Sequence, residues 1–341
     1  LSTMASPDQA KKGRSSMAAK KEAPPPLHTI VLVLFFLLVC VSFLPSIEEI
    51  DAVAKEETFT KAVFPHHFSA KTIGWIRIAC SMILFGSALH TLTFAQLDLI
   101  THYQPGSRLQ GAVIQIRGFL RQPHSILATF RCWAPYTKWS VLLLATSFFL
   151  NGKIALAAHY GGKDSLQDCP WVLRLAVLLF EVAAPNTILV SAVVRYVLWP
   201  SRLASGLDTK VFTNPRSIID HNFIVIVALS EVGLLGGLPV RNEDFSVAPI
   251  FGISYVLFTW AMMNHWGTEP EKGPQFIYPF FDTTLGAKTS MALLCLLAVL
   301  IVAHVLFAFA DSLLVHFDDT SVCGRMLLVV FLASLLCRFR D

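Results

Sequence analysis

The chain has 341 residues, of which 54% are hydrophobic and only 15% are charged. Soluble domains carry roughly 25% charged residues, so this composition excludes an ordinary soluble protein and indicates an integral membrane protein. The net charge of +4 is small and is spread over the loops, and no basic–aromatic motif appears. Nucleic acid is therefore not an expected partner.

Residues 1–28 are polar and basic and contain three consecutive prolines, a composition typical of a disordered tail. The uncharged run 29–46 is near the lower limit for crossing a bilayer and predicts an extra N-terminal transmembrane helix. The basic tail in front of it also fits a signal peptide. No small-residue cleavage site stands out, which favours a retained anchor.

Further apolar runs predict a six-helix membrane core between residues 73 and 313. The predicted spans are 73–97, 137–158, 171–198, 218–238, 246–264 and 286–310. The connection 98–136 alternates apolar and basic residues and is predicted to lie at the membrane surface. A last apolar run, 322–337, is either a short transmembrane span or an interfacial helix. We therefore expect an all-α polytopic integral membrane helix bundle with seven or eight transmembrane helices.

Lys and Arg concentrate in the N-terminal tail, in 98–136, in 195–216 and at the C-terminal tip. Because positively charged loops stay on the cytosolic side, the N-terminus is predicted to be cytosolic. The loops do not identify the organelle. In this topology several span ends lie at one membrane depth on the cytosolic side. The polar residues at those ends are Thr137, Asp220, His221, Asn222, Asn264, His265, Tyr278 and Asp282.

Two carboxylates, Glu181 and Glu231, fall deeper within predicted spans, and Arg77 lies near the start of another. An unpaired charge at mid-membrane costs roughly 3 kcal/mol or more. Each carboxylate therefore needs a partner, for which Arg77 and Lys153 are candidates, or it carries a proton. Structural pairing and a functional role both remain open.

Thr137 and His221 form the most reactive combination at the cytosolic boundary. A threonine hydroxyl is a poor nucleophile unless a neighbouring imidazole takes its proton. The alternatives are structural: His221 as an ordinary interfacial residue, Asp220 and Asn222 as the N-cap of their helix, and Thr137 as a cap of its own. No Cys/His spacing typical of a metal site occurs, so neither a metal nor another cofactor is expected.

Several dispersed residues resemble a known family. The segment Tyr136-Thr137-Lys138-Trp139-Ser140 opens one span, Glu181 and Pro185-Asn186 lie in the next, His221 precedes Glu231 by ten positions, and Tyr278-Pro279-Phe280 follows an aromatic span. Over roughly 73–313 this order resembles the androgen-induced/androgen-dependent membrane hydrolases and the related rolling-stone-like membrane proteins. Segment 136–140 is closer to the rolling-stone-like branch, whose activity is less defined.

The resemblance implies a multi-helix membrane fold. In the hydrolase branch it also implies a threonine nucleophile, here Thr137, and a histidine, here His221, which cleave esters of hydroxy fatty acids without a metal. The first span, the long 98–136 connection and the last apolar run depart from the family pattern.

The leading hypothesis is an integral membrane lipid-ester hydrolase that acts on fatty-acid esters at the cytosolic membrane boundary. Its expected partners are membrane lipids and a lipid-like substrate. Candidate orienting or oxyanion groups are Asp220, Asn222, Asn264 and Tyr278. One alternative is a non-enzymatic accessory subunit of a larger complex, with protein partners in the membrane. The other is a transporter that uses Glu181, Glu231 and Arg77.

Overall fold

The computed structural model describes residues 25–94, 96–100, 113–118, 120, 133–161, 169–204, 206, 208–263, 276–316 and 322–340. Most of these residues are helical, as the apolar runs predict. The longer helices are α1 Leu27–Ser42, α2 Ala70–Phe94, α3 Tyr136–Gly161, α4 Pro170–Val193, α5 Ile224–Gly233, α6 Val247–Met262, α7 Ala287–His316 and α8 Val322–Leu336.

Short elements connect or extend these helices. The short α-helices are Ile47–Val53, Glu56–Thr60, Trp199–Ala204, Lys210–Thr213 and Pro215–Ile218, the π-helical turns are Val194–Leu198 and Ile219–Phe223, and the 3-10 turns are Asn242–Asp244, Pro279–Phe281 and Thr283–Leu285. Between α2 and α3, strand β1 (Gln96–Ile100) pairs antiparallel with β2 (Val113–Arg117). The connection 98–136, which was predicted to lie at the membrane surface, contains all of β2 and the last three residues of β1.

Among the described residues, five helical segments are long and apolar enough to cross a membrane. They are Ala70–Phe94, Tyr136–Gly161, Pro170–Ala204, Asn242–Met262 and Ala287–Val315. A sixth is added if α1 and Ile47–Val53, which are bent by 60° relative to each other, form one span. The multi-pass helical membrane architecture is thus confirmed, but seven or eight spans are not: α8 has only 15 residues, and a π-turn interrupts helical residues 215–233.

The outer surface of the bundle is apolar, as lipid requires. On α7, Val302, Leu306 and Phe309 are each at least half exposed, whereas Leu300 and Phe307 on the other side of the same helix are buried. A helix that is apolar all round is typical of a membrane span, where one face packs on protein and the other meets hydrocarbon.

Helices α2 and α3 are packed closely through small residues. A Cβ atom added to Gly152 would lie 2.9 Å from the carbonyl oxygen of Gly74, so neither position has room for a side chain. Further along, the Ser81 hydroxyl donates a hydrogen bond of 2.7 Å to the carbonyl of Ala145. Small residues allow membrane helices to approach closely, and these contacts show that the two helices run antiparallel.

Buried polar contacts join α2 to helical residues 215–233 at two levels. Ser87 on α2 donates to Asp220 (2.8 Å), and Arg77 on α2 pairs with Glu231 on α5. Asp220 and Glu231 are eleven residues apart along one helical segment, which corresponds to about 16 Å at 1.5 Å per residue. We refer to these levels as the Asp220 end and the Glu231 end of the bundle.

Candidate functional site

An apolar cavity of about 120 Å³ lies inside the bundle near the Asp220 end. Its walls come from α4 and the π-turn after it, and from α6 and α7. Representative lining residues are Leu189, Val193, Val197, Leu198, Gly252 and Leu300. Val197 is 56% exposed and Leu198 is 37% exposed. These two residues therefore belong both to the cavity wall and to the exposed apolar surface of the bundle.

Three tyrosines and Thr137 also line this cavity. The Tyr136 hydroxyl donates to Asn186 Oδ1, and the Tyr255 hydroxyl donates to the carbonyl of Ala134 at 2.5 Å. The Tyr278 oxygen accepts a hydrogen bond of 3.3 Å from the Tyr136 backbone N–H. The rings of Tyr136 and Tyr255 meet edge-to-face, with centroids 4.9 Å apart. The polar end of the cavity is therefore held by a fixed aromatic cluster.

The Tyr278 hydroxyl stays protonated at physiological pH. Burial among the surrounding rings raises the pKa of Tyr278 to about 12, although the hydrogen bond from Tyr136 opposes this shift. A hydroxyl with a raised pKa remains a hydrogen-bond donor over the whole neutral range. Tyr278 thus fits the role of a donor to an oxygen atom that gains negative charge.

Thr137 is the second residue of α3 and lines the cavity. Its hydroxyl forms no hydrogen bond within the part of the chain that the structure describes. No hydrogen bond among the described residues therefore holds this hydroxyl away from the cavity that its residue lines. The predicted grouping of Thr137 with Tyr278 agrees with the structure.

His221 lies in the π-turn Ile219–Phe223 and does not line the cavity. Its ring packs edge-to-face against Phe212, with centroids 6.5 Å apart, and its Nδ1 atom is buried without a partner among the described residues. Its backbone carbonyl accepts from Ser191. No hydrogen bond joins His221 to Thr137, so the structure does not bring the predicted base onto the predicted nucleophile.

Asp220 and Asn222, the sequence neighbours of His221, do not line the cavity and instead bind other parts of the chain. Asp220 accepts from Ser87 and forms a buried salt bridge with Lys138. Asn222 donates to the carbonyl of Arg338 at 2.7 Å and accepts from its N–H at 3.3 Å. The N-cap interpretation of Asp220 and Asn222 is wrong, because the helix begins earlier. Asn214 provides that cap, since its side chain accepts from the Ser217 N–H. Asn264 and His265 lie outside the described residues.

The charged pair of Arg77 and Glu231 forms the polar core of the Glu231 end. Arg77 donates through Nε (3.1 Å) and Nη2 (2.6 Å) to the two carboxylate oxygens of Glu231. Its Nη1 donates to the carbonyl of Phe59 at 2.7 Å. Both charged side chains are fully buried. Arg77 was one of the two predicted partners, and the expected pairing is confirmed for Glu231.

Glu181 has a different partner from those predicted. Its carboxylate accepts from Arg241 Nε at 3.0 Å, and Arg241 also pairs with Asp244. Lys153 is exposed and takes no part. Neither Arg241, which lies in a tight loop, nor Lys138, which belongs to the 136–140 segment, was predicted to pair with a carboxylate. An intramembrane carboxylate at the matching depth was the signal that could have identified both.

Among the described residues, no group of three or more His, Cys, Asp or Glu side chains is placed to hold a metal ion. The candidate site is an apolar cavity lined by Thr137 and three tyrosines, beside a buried Lys138–Asp220 pair. In comparisons with known proteins, no family model, no curated protein and no solved structure matches this chain.

Proposed function

We propose that the protein is an integral membrane lipid-ester hydrolase that binds the acyl chain of its substrate in the apolar cavity. The observation that carries this proposal is the position of Thr137, which lines an apolar cavity and whose hydroxyl has no hydrogen-bond partner among the described residues. The resemblance to the androgen-induced and rolling-stone-like membrane proteins supports the same reaction class.

In the proposed reaction, the Thr137 oxygen attacks the ester carbonyl while His221 takes the hydroxyl proton. The bond from Thr137 to the acyl carbon forms, the bond to the alcohol oxygen breaks, and His221 passes the proton to the departing alcohol. Water then cleaves the acyl-threonine with His221 again as the base. The Tyr278 hydroxyl donates to the oxyanion.

His221 must turn towards Thr137 for this reaction, because the two do not meet in the present conformation. Catalytic hydrogen bonds often form only in the substrate complex. The Lys138–Asp220 salt bridge supports this arrangement, because it joins the residue after Thr137 to the residue before His221. The segments that carry Thr137 and His221 are therefore joined at adjacent residues.

The first prediction is that the purified protein hydrolyses members of a panel of fatty-acid esters. Thr137→Ala removes the nucleophile, and His221→Gln removes the base, so His221→Gln should lower kcat about 10²–10⁴-fold. We expect Thr137→Ala to lose at least as much and Thr137→Ser to keep measurable activity. Release of free fatty acid is the measurement.

Thr93→Val is the matched control. Thr93 lies at the exposed end of α2, and its hydroxyl donates to the carbonyl of Leu89 at 2.9 Å. This variant should hydrolyse esters as the wild type does. Equal activity of wild type and Thr137→Ala would contradict the proposal, as would a folded wild type that is inert on the whole panel.

We also propose eight spans, with both termini in the cytosol. Helical residues 215–233 and α8 supply the two spans that length alone does not identify. Arg195, at the end of α4, donates to carbonyls at the end of α8, so these two helix ends share one face of the bundle. With eight spans, the loops rich in Lys and Arg all lie on the cytosolic side, as the positive-inside rule requires.

The prediction for topology is that epitope tags on either terminus are accessible only from the cytosol. In cells whose plasma membrane alone is permeabilised, antibodies should label both tags. A tag in the 47–70 loop should require permeabilisation of the membrane that holds the protein. Labelling of the two termini from opposite sides would contradict an even number of spans.

The second candidate function is a non-enzymatic accessory membrane subunit, which the absence of a Thr137–His221 hydrogen bond favours. Against it, α1 packs on α6 and α7, and α8 packs on α5. The additional helices therefore cover their own bundle. A transporter has less support, because Arg77 and Glu231 are fully buried and pair with each other instead of lining an aqueous path.

A further inference from the structure

A second concave site lies at the Asp220 end, on the surface of the bundle. It has a volume of about 450 Å³ and is lined by Arg195, Cys337, Arg338, Phe339 and Arg340. Within the described residues, no carboxylate forms a salt bridge with any of these three arginines. Arg77, Arg174 and Arg241, by contrast, each have a carboxylate partner. The depression therefore concentrates positive charge that the described part of the protein does not neutralise.

Two of the three arginines of this basic depression, Arg195 and Arg338, are held in place by contacts with other elements. Asn222, which is only 4% exposed, fixes the backbone of Arg338 through hydrogen bonds to both its N–H and its carbonyl. The Arg338 guanidinium lies over the ring of Trp199, 4.9 Å from its centroid. Arg195 caps the end of α8 through Nη1 alone, which leaves its other nitrogens for a ligand. Such preorganisation lowers the entropic cost of binding.

Apolar side chains adjoin the basic depression on its membrane side. Tyr196 is 57% exposed, Val197 is 56% exposed, and Phe339 on the rim is 52% exposed. Exposed aromatic residues beside arginines are typical of the boundary between lipid tails and headgroups. A ligand that fits both surfaces carries a negative group and a hydrocarbon chain together.

We propose that the basic depression binds the phosphate headgroup of an anionic membrane lipid, with an acyl chain along the Tyr196–Val197 surface. Guanidinium groups donate paired hydrogen bonds that match phosphate oxygens. Basic pockets between membrane helices on the cytosolic side suit anionic lipid headgroups. This proposal does not depend on ester hydrolysis, because none of the three arginines lines the cavity that contains Thr137.

Native mass spectrometry of the full chain in detergent tests the proposal. The probes are a short-chain phosphatidic acid, a short-chain phosphatidylcholine and inorganic phosphate. We expect the wild type to retain one phosphatidic acid molecule in preference to phosphatidylcholine, and inorganic phosphate to compete only weakly. Each arginine contributes about 1 kcal/mol, so Arg340→Gln should weaken binding about fivefold, and Arg338→Gln/Arg340→Gln should weaken it further.

Arg174→Gln is the matched control, since Arg174 pairs with Asp51 far from this depression and its loss should leave lipid binding unchanged. Arg340→Gln keeps the test independent of folding, because the Arg340 side chain is exposed, whereas Arg338 packs on Trp199. Equal retention of the two lipids would overturn the proposal. So would unchanged binding by Arg340→Gln, or phosphate binding as tight as that of the lipid, which would indicate a site for free anions.

Discussion

Glu231→Ala is expected to lower the free energy of unfolding by about 3–5 kcal/mol, because it leaves Arg77 charged and buried without its partner. The backbone at Gly236 packs closely against this pair. A Cβ atom there would lie 2.1 Å from Arg77 Nη2 and 2.6 Å from Glu231 Oε1. Gly236 therefore packs directly against both charged groups, and among the described residues no other side chain accepts a hydrogen bond from Arg77 in place of the lost carboxylate.

The double variant Arg77→Met/Glu231→Leu provides the control. Replacing both charges with apolar groups removes the uncompensated charge and should recover most of the lost stability. The measurement is a titration with sodium dodecyl sulfate in mixed micelles, which compares the free energies of unfolding of wild type and variants. If Glu231→Ala lost less than about 1 kcal/mol, the value typical of a solvated surface pair, the pair would not be dry.

The second large effect is expected for Lys138→Met, which removes the cation that pairs with Asp220. The side chains of Lys138 and Asp220 are 9% and 5% exposed, so water replaces little of the lost interaction. Of the side-chain hydrogen bonds that Asp220 forms within the described residues, the one from the Ser87 hydroxyl would remain. We expect a loss of about 3–5 kcal/mol, together with lower ester hydrolysis because α3 and the π-turn at His221 are no longer tied together.

Lys153→Met is a matched control on the same helix. Lys153 is exposed, so its replacement should change the free energy of unfolding by less than about 0.5 kcal/mol. The same detergent titration compares the two variants, and fatty-acid release reports the activity. Equal unfolding midpoints for Lys138→Met and Lys153→Met would show that the Lys138–Asp220 pair does not stabilise the fold.

The sequence was sufficient to predict the membrane class and to require partners for the deep carboxylates, with Arg77 as one of two candidates. The reason is energetic: lipid penalises an isolated charge so strongly that an intramembrane carboxylate requires a partner at its own depth. The topology also grouped Thr137 with Tyr278, because span ends on one side of the membrane lie at one level. Both are found on the wall of the same cavity.

The partners of Asp220 and Glu181 could not be chosen from depth alone. Several cations lay within reach of each carboxylate, and helix rotation decides which of them faces it. Lys138 faces Asp220, whereas the neighbouring Thr137 faces the cavity, because adjacent helical residues point about 100° apart. The direction of His221 was missed for the same reason, since a π-turn changes the helical period locally.

Two π-turns occur in the part of the bundle that the structure describes. Val194–Leu198 contains Arg195 and the cavity residues Val197 and Leu198, and Ile219–Phe223 contains His221. Ser191, three residues before the first of these turns, donates to the carbonyl of His221. A π-turn holds more residues than the α-helical turn that it replaces, and such turns are frequent at functional sites. One extra residue rotates the side chains beyond it by about 100°. The direction of the His221 imidazole therefore depends on where in the helix this extra residue is accommodated.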